Sequence, residues 1–149
     1  YVNVADFVKN GENIPMGVIS PLQLAKLYDH NNAQLFKEIQ VLKAAKPSAS
    51  VLVEINDLES WYWFGRYFSD KLKAAIHVAR YRFDGKDERN AAVKYLTDCK
   101  QWWTNYTNAL SQNNKEEMPF HTASDFSWKA FHKSVEFDIE LAQKSENNN

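Results

Sequence analysis

The stretch that decides the fold is residues 57–84, DLESWYWFGRYFSDKLKAAIHVARYRFD. Its apolar side chains recur at intervals of three and four residues over about six turns, which is the spacing of a long amphipathic helix. The rings of Tyr62, Trp63, Phe64 and Tyr67 are spaced too closely to share one face. We therefore expect some of them to pack on a further helix, line a groove or meet another domain. The recurring apolar positions are Leu58, Trp61, Phe68, Leu72, Ala75 or Ile76, and Ala79.

The composition is that of a globular helical protein. Apolar residues make up 44% and charged residues 25% of the 149 positions, which is ordinary for one compact domain. Four glycines and four prolines are too few for a loop-rich or all-β fold. The net charge of −1 predicts no strong field for nucleic acid or for an anionic membrane surface.

Cysteine content and the chain start limit the class of protein further. Cys99 is the one cysteine, which excludes an internal disulfide and a cysteine-built zinc site. It lies in an apolar stripe beside Leu96 and Trp103, where we expect a small core residue. No stretch approaches the roughly 18 apolar residues that span a bilayer. The chain begins at Tyr1 without a methionine or a secretion signal, so we expect a piece of a longer protein or a mature form after cleavage.

Local chemistry marks the ends of the first two long helices. Ser20 followed by Pro21 is typical of an N-cap and a first helical residue, and predicts a helix over 21–45 that Pro47 ends. Glycines and a proline break up residues 1–19, where we expect no long element. A second helix is predicted from Ser48 or Ser50 to Phe83, with residues 51–53 as a short strand in the alternative and Gly85 as the stop.

Two further helices follow. Asp87 is a suitable N-cap for a helix over 88–111, which has a wide apolar face and should contact two neighbours. Residues 112–124 are polar and are predicted to form a loop. Ser124 or Asp125 should cap a fourth helix, and residues 145–149 should fray. The apolar positions of that helix are Trp128, Phe131, Val135, Ile139 and Ala142.

Short connections favour antiparallel neighbours. The sequence therefore predicts an all-α fold, an antiparallel bundle of three long helices with a fourth packed alongside. Residues 1–149 would form a single helical-bundle domain of a larger multidomain protein.

No catalytic residue, metal site or cofactor is predicted. The histidines are isolated, and a lone His132 and Glu136 pair is a weak basis for a metal site. Glu54, Asp57 and Glu59 cluster at a helix start, where carboxylates favour the helix dipole and need no catalytic role. Di-iron bundles need two Glu-x-x-His motifs, and neither is present.

The aromatic excess is the remaining candidate for function. Tyr62, Trp63, Arg66 and Tyr67 are candidates for a platform that stacks on a sugar ring, with the arginine and tyrosines bonding to its hydroxyls. The interpretation that we favour from the sequence is that these rings fill the space between helices or bury against a neighbouring domain. A nucleic-acid platform is disfavoured, because basic residues are not interleaved in excess.

Three segments carry a resemblance to a known group of proteins. The run Glu59 to Ala75, ESWYWFGRYFSDKLKAA, resembles a segment in the C-terminal helical regions of large secreted bacterial glycoside hydrolase-like proteins, including α-glucuronidase-like and hexosaminidase-like proteins of gut Bacteroidetes. The runs AAVKYL at 91–96 and QWWTNY at 101–106 are similar to the next helix there, and SPLQLA at 20–25 is similar to the opening of the first. The resemblance covers roughly residues 18–110.

This resemblance implies a helical accessory region in an extracytoplasmic protein of carbohydrate metabolism. The catalytic carboxylates of such proteins usually lie on a separate barrel, so this chain would brace that barrel or shape its cleft, and only the parent would be a glycoside hydrolase. Its partners would be other domains of the parent and a glycan. A different hypothesis is a free-standing helical binding or scaffold module, whose aromatic groove takes a peptide or small ligand. The first hypothesis predicts an exposed apolar patch, the second a concave pocket with converging polar groups.

Overall fold

The computed structural model describes residues 1–114 and 127–144, and within these ranges the chain is helical without a strand. The all-α prediction is confirmed. Five helices pack together, one more than predicted. They are α1 (Val4–Lys9), α2 (Pro21–Ala44), α3 (Ala49–Asp84), α4 (Arg89–Asn113) and α5 (His132–Lys144).

Helix ends follow the local chemistry of the sequence. The Ser20 hydroxyl accepts a hydrogen bond from the Gln23 backbone, and the Gln23 side chain accepts one from the Ser20 backbone, which is a complete capping box at the start of α2. Gly85 ends α3 with φ of 68°, a left-handed conformation that suits glycine. Residues 51–53 are helical, so the strand alternative is wrong. α4 begins at Arg89 after the N-cap Glu88, and Asp87 accepts a bond from the Arg89 backbone.

Helix α3 is the centre of the molecule, and its two long neighbours α2 and α4 run antiparallel to it. Along its contact with α2, Lys43 pairs with Glu59 near one end and Tyr28 packs on Phe68 further along. Contacts with α4 are ordered in the same opposed sense: Asn113 bonds to Asp57, Tyr106 packs on Phe64, Trp102 bonds to Asp70 and Tyr95 stacks on His77.

Helices α1 and α5 pack along the C-terminal half of α3. Phe7 and Val8 of α1 are buried against Ile76 and Ala79. A second cluster joins Tyr67, Cys99, Trp103 and Val135, and a third joins Ala74, Ala92, Leu96 and Ala142. The α1 helix was not predicted, because six residues are too few for a periodic pattern. It is held by packing on α3 and by an ion pair between Glu12, in the turn that follows, and Arg80.

Part of the predicted apolar face of α3 is exposed. Ile76 and Ala79 are buried as expected, but Leu58 is 37% and Trp61 65% exposed. These two side chains are exposed because α1 packs nearer the other end of α3. α4 continues to Asn113, so the predicted loop begins later than residue 112. The remainder of that loop, the caps Ser124 and Asp125, and residues 145–149 lie outside the described residues.

Candidate ligand-binding cleft

The structure brings three of the four predicted platform residues together. Tyr62, Trp63 and Arg66 lie on one side of α3 with Trp102 of α4. The indoles of Trp63 and Trp102 stack with centroids 5.6 Å apart and planes 16° apart, and the Tyr62 ring meets Trp63 edge-on at 4.6 Å. The Arg66 guanidinium carbon lies 4.9 Å from the Trp102 ring, a cation–π distance. We call these four side chains the ring stack.

Tyr67 lies elsewhere. It is only 6% exposed and packs in the core with Cys99, Trp103 and Val135. Burial raises the pKa of its hydroxyl, which accepts a hydrogen bond from Lys71 at 3.0 Å. Its ring is therefore closed off from any ligand that reaches the ring stack.

A network of carboxylates and their hydrogen-bond partners holds Trp102 of the ring stack in place. Asp70 is 3% exposed and accepts hydrogen bonds from Trp102 Nε1 and Lys73 Nζ, both at 2.8 Å. Lys73 also pairs with Asp29 of α2 at 2.8 Å, and Asp29 accepts a bond from Ser69. Burial alone would lower the pKa of Lys73, but its bonds to the two aspartates raise it. The network fixes the Trp102 indole and joins α2, α3 and α4.

Trp63 also lines an open cleft of about 390 Å³ between α3 and the C-terminal part of α4, with Lys43 of α2 at its edge. The walls carry four carboxamides, a density of paired donors and acceptors that suits a polyhydroxylated ligand. We call this pocket the amide cleft. Its lining is Lys43, Asn56, Glu59, Trp63, Asn105, Asn108, Ala109 and Gln112.

The carboxamides of the amide cleft were missed from the sequence, although a signal was present. The cleft residues recur at i, i+3 and i+7 on both helices, the spacing of a single helical face. Taken alone, a polar face of this kind looks like a solvated surface, and only the antiparallel register of α3 and α4 brings the two faces together. The positions are Asn56, Glu59 and Trp63 on α3 and Asn105, Asn108 and Gln112 on α4.

The charged groups of the amide cleft form an ion pair. Glu59 is the carboxylate among the described lining residues, and its Oε2 lies 2.7 Å from Lys43 Nζ. An ion-paired glutamate beside carboxamides offers fixed acceptors and donors for hydroxyl groups.

Cys99, His132 and Glu136 were also considered as candidates from the sequence, and their contacts in the structure are those of structural residues. Cys99 is fully buried, and burial raises the pKa of its thiol to about 12, so the predicted core role is confirmed. His132 lies 3.7 Å from Glu136, whose carboxylate pairs more closely with Lys100 at 2.7 Å. Within residues 1–114 and 127–144 no group of three or more metal-binding side chains converges. Of the helices in these ranges, none has the length and apolar character to cross a bilayer.

Comparison of this chain with known protein families, with curated proteins and with solved structures finds no match. Function is therefore inferred from the side chains of the amide cleft and the ring stack.

Proposed function

We propose that this chain is a non-catalytic helical accessory domain of a secreted, glycoside hydrolase-like protein, and that it shapes the parent's substrate cleft by holding a glycan in the amide cleft. In this proposal the three long helices α2, α3 and α4, with α5 packed alongside, are the rigid frame of the domain. The resemblance of residues 18–110 supplies the parent class and the extracytoplasmic location.

The observation that carries the glycan proposal is the lining of the amide cleft. Sugars bind where an aromatic ring takes their C–H faces and planar polar groups take their hydroxyls in pairs. Trp63 supplies the ring, Asn56, Asn105, Asn108 and Gln112 supply the amides, and the Lys43–Glu59 pair supplies charged hydrogen-bonding groups.

Exposed apolar side chains support docking to the rest of a parent protein. At the end of the α2–α3 hairpin, Val41, Leu42, Val51, Leu52 and Val53 are each between 38% and 65% exposed. A concentration of this kind is typical of an interaction surface. The accessory-domain hypothesis predicts an exposed patch of this kind, and this one lies at the same end of α3 as the amide cleft, which is the kind of pocket that the binding-module hypothesis predicts.

The test is titration of the protein with a panel of plant and host glycans, followed by tryptophan fluorescence and calorimetry. We expect one glycan class to give a saturable change. Trp63→Ala should weaken its binding about tenfold, because loss of a ring contact of roughly 1.4 kcal/mol has that effect. Trp61→Ala is the matched control, since this tryptophan is two residues away and 65% exposed outside the cleft lining.

A second variant separates binding from folding. Asn108→Ala changes an exposed cleft side chain and should leave the unfolding transition unchanged while weakening binding about fivefold, the effect of one lost hydrogen bond of roughly 1 kcal/mol. Absence of a response to every glycan, or equal losses in Trp63→Ala and Trp61→Ala, would refute the glycan role and leave the domain with a bracing role alone.

A further inference from the structure

A second cavity lies near the other end of α3, and it shares no lining residue with the amide cleft. It is an elongated groove of about 360 Å³ between α1, α3 and α5, a volume in the range of small-molecule sites. We call it the alanine groove, because small side chains from all three helices create its space: Ala5, Ala74, Ala75, Ala79 and Ala142.

The floor and rim of the alanine groove are apolar. Ala74, Ala79 and Leu96 are at most 6% exposed and close the bottom. Phe83 and Leu141 at the rim are 46% and 47% exposed, so apolar surface continues out of the groove. A ligand that covers this surface removes it from water, at about 25 cal/mol for each Å² buried.

The two cationic side chains that line the groove, Lys71 and Arg82, differ in their ion pairing. Lys71 Nζ lies 2.6 Å from Asp138 Oδ2 and 3.0 Å from the Tyr67 hydroxyl, so its charge is already compensated. Arg82 lines the groove eleven residues further along α3, about 16 Å away along the helix axis, and it has no ion-pair partner among the described residues. A guanidinium at the mouth of an apolar groove is complementary to a carboxylate, which it binds with two parallel hydrogen bonds.

We propose that the alanine groove binds a medium-chain fatty acid, with its acyl chain along Ala75, Val78 and Ala79 and its carboxylate on Arg82. The distance from Lys71 to Arg82 sets the length of the chain, and the neutral Lys71–Asp138 pair closes the far end. An unbranched chain suits a groove whose lining follows α3 from Lys71 to Phe83.

Calorimetric titration with dodecanoate below its micelle concentration tests the proposal. We expect saturable binding of one molecule per chain. Ala75→Leu fills the groove and should weaken binding at least tenfold, whereas Ala33→Leu on the exposed surface of α2 should leave it unchanged. Arg82→Gln should weaken dodecanoate about fivefold and leave the folded state intact, because this side chain is exposed.

Two control measurements test the specificity of binding: one uses a ligand of opposite charge, and the other uses membrane vesicles. Dodecyltrimethylammonium has the same chain length with a cationic head and should bind much more weakly than dodecanoate. Binding of many dodecanoate molecules per chain, equal affinity in wild type and Ala75→Leu, or attachment to phosphatidylglycerol vesicles without binding of monomeric dodecanoate would each overturn the proposal. If Ala75→Leu fails to fold, the affinity of Arg82→Gln for dodecanoate tests the proposal by itself, and an affinity equal to that of the wild type would overturn it.

Discussion

The two halves of α3 belong to one continuous helix but lie in different surroundings. Residues 49–64 contact α2 and the end of α4, and their fully buried members are Ile55 and Ser60. In residues 65–84, α1 and α5 add their contacts, and eight residues of this half are buried. Those eight include the polar Ser69 and Asp70, whereas the tryptophan at 61 in the first half is mostly exposed. Burial along this helix follows the number of neighbouring helices more closely than it follows side-chain polarity.

This difference separates the residues that stabilise the fold from those that line the amide cleft. The second half has a fully satisfied carboxylate network and small residues that let helices approach closely. The first half has the open amide cleft and the exposed apolar end of the hairpin. We therefore expect substitutions of the buried residues in the second half to change the free energy of unfolding, and substitutions in the amide cleft of the first half to change glycan binding with little loss of stability.

The largest expected effect comes from a matched pair of aspartates. Asp70 in the second half and Asp57 in the first each accept a side-chain hydrogen bond from α4 at 2.8 Å, from Trp102 and Asn113 respectively. Asp70→Ala should cost about 3 kcal/mol, because it removes a buried carboxylate that pairs with a lysine and leaves a part-buried indole N–H and that lysine without this partner. Asp57→Ala should cost about 1 kcal/mol, since water replaces the lost bond. Urea unfolding followed by circular dichroism measures both, and equal losses would contradict the division of α3 into two halves.

The next effect concerns the close contact between α2 and α3 at Gly65. A Cβ at this position would lie 2.5 Å from Asn32 Oδ1 and 2.6 Å from Asn32 Nδ2. Asn32 is 5% exposed, and its Nδ2 has no hydrogen-bond partner within the described part of the chain. Gly65→Ala should therefore cost about 2 kcal/mol through overpacking.

A double-mutant cycle sharpens this prediction. In an Asn32→Ala background the clash is absent, so Gly65→Ala should gain the roughly 1 kcal/mol by which alanine exceeds glycine in helix propensity. The substitution thus changes sign between the two backgrounds, as measured by unfolding free energies. A cost that persists unchanged in the Asn32→Ala background would mean that Gly65 is required for another reason.

Features that depend on adjacent residues were predictable from the sequence. The start of α2 at Pro21 and the end of α3 before Gly85 are set by capping and backbone geometry, and both agree with prediction to within a residue. The core position of Cys99 followed from its apolar neighbours on α4. These features need no knowledge of which helices meet.

Features that depend on helix register were not predictable from periodicity alone. Trp61 and Tyr67 are both large and aromatic, yet one is exposed and the other buried, because only the second lies where α5 packs on α3 and α4. The same register separates Tyr67 from Tyr62, Trp63 and Arg66, and it brings the carboxamides of α3 and α4 into one cleft. Helix α1 was not predicted either, because its stability comes from packing on Ile76 and Ala79, a contact between helices that the sequence pattern does not show.

The smallest expected effect concerns the attachment of α1 to the second half of α3, and it depends on pH. Arg80 Nε donates to Glu12 Oε1 at 2.6 Å, and this hydrogen bond lowers the pKa of Glu12 below its ordinary value of 4.5. A carboxyl whose pKa is lower in the folded state stabilises the fold above pH 4.5 and loses that contribution as the pH falls through the folded value.

Glu12→Gln should cost on the order of 0.5 kcal/mol at pH 7, because the pair is partly solvated, and nothing once Glu12 is protonated in the folded protein. Urea midpoints at pH 7, 5 and 3 measure the difference between wild type and variant, with Glu38→Gln on the exposed face of α2 as the control. A difference as large at pH 3 as at pH 7 would mean that Glu12 stabilises the turn after α1 by its backbone, which has φ of 63°, and that the ion pair to Arg80 does not attach α1 to α3.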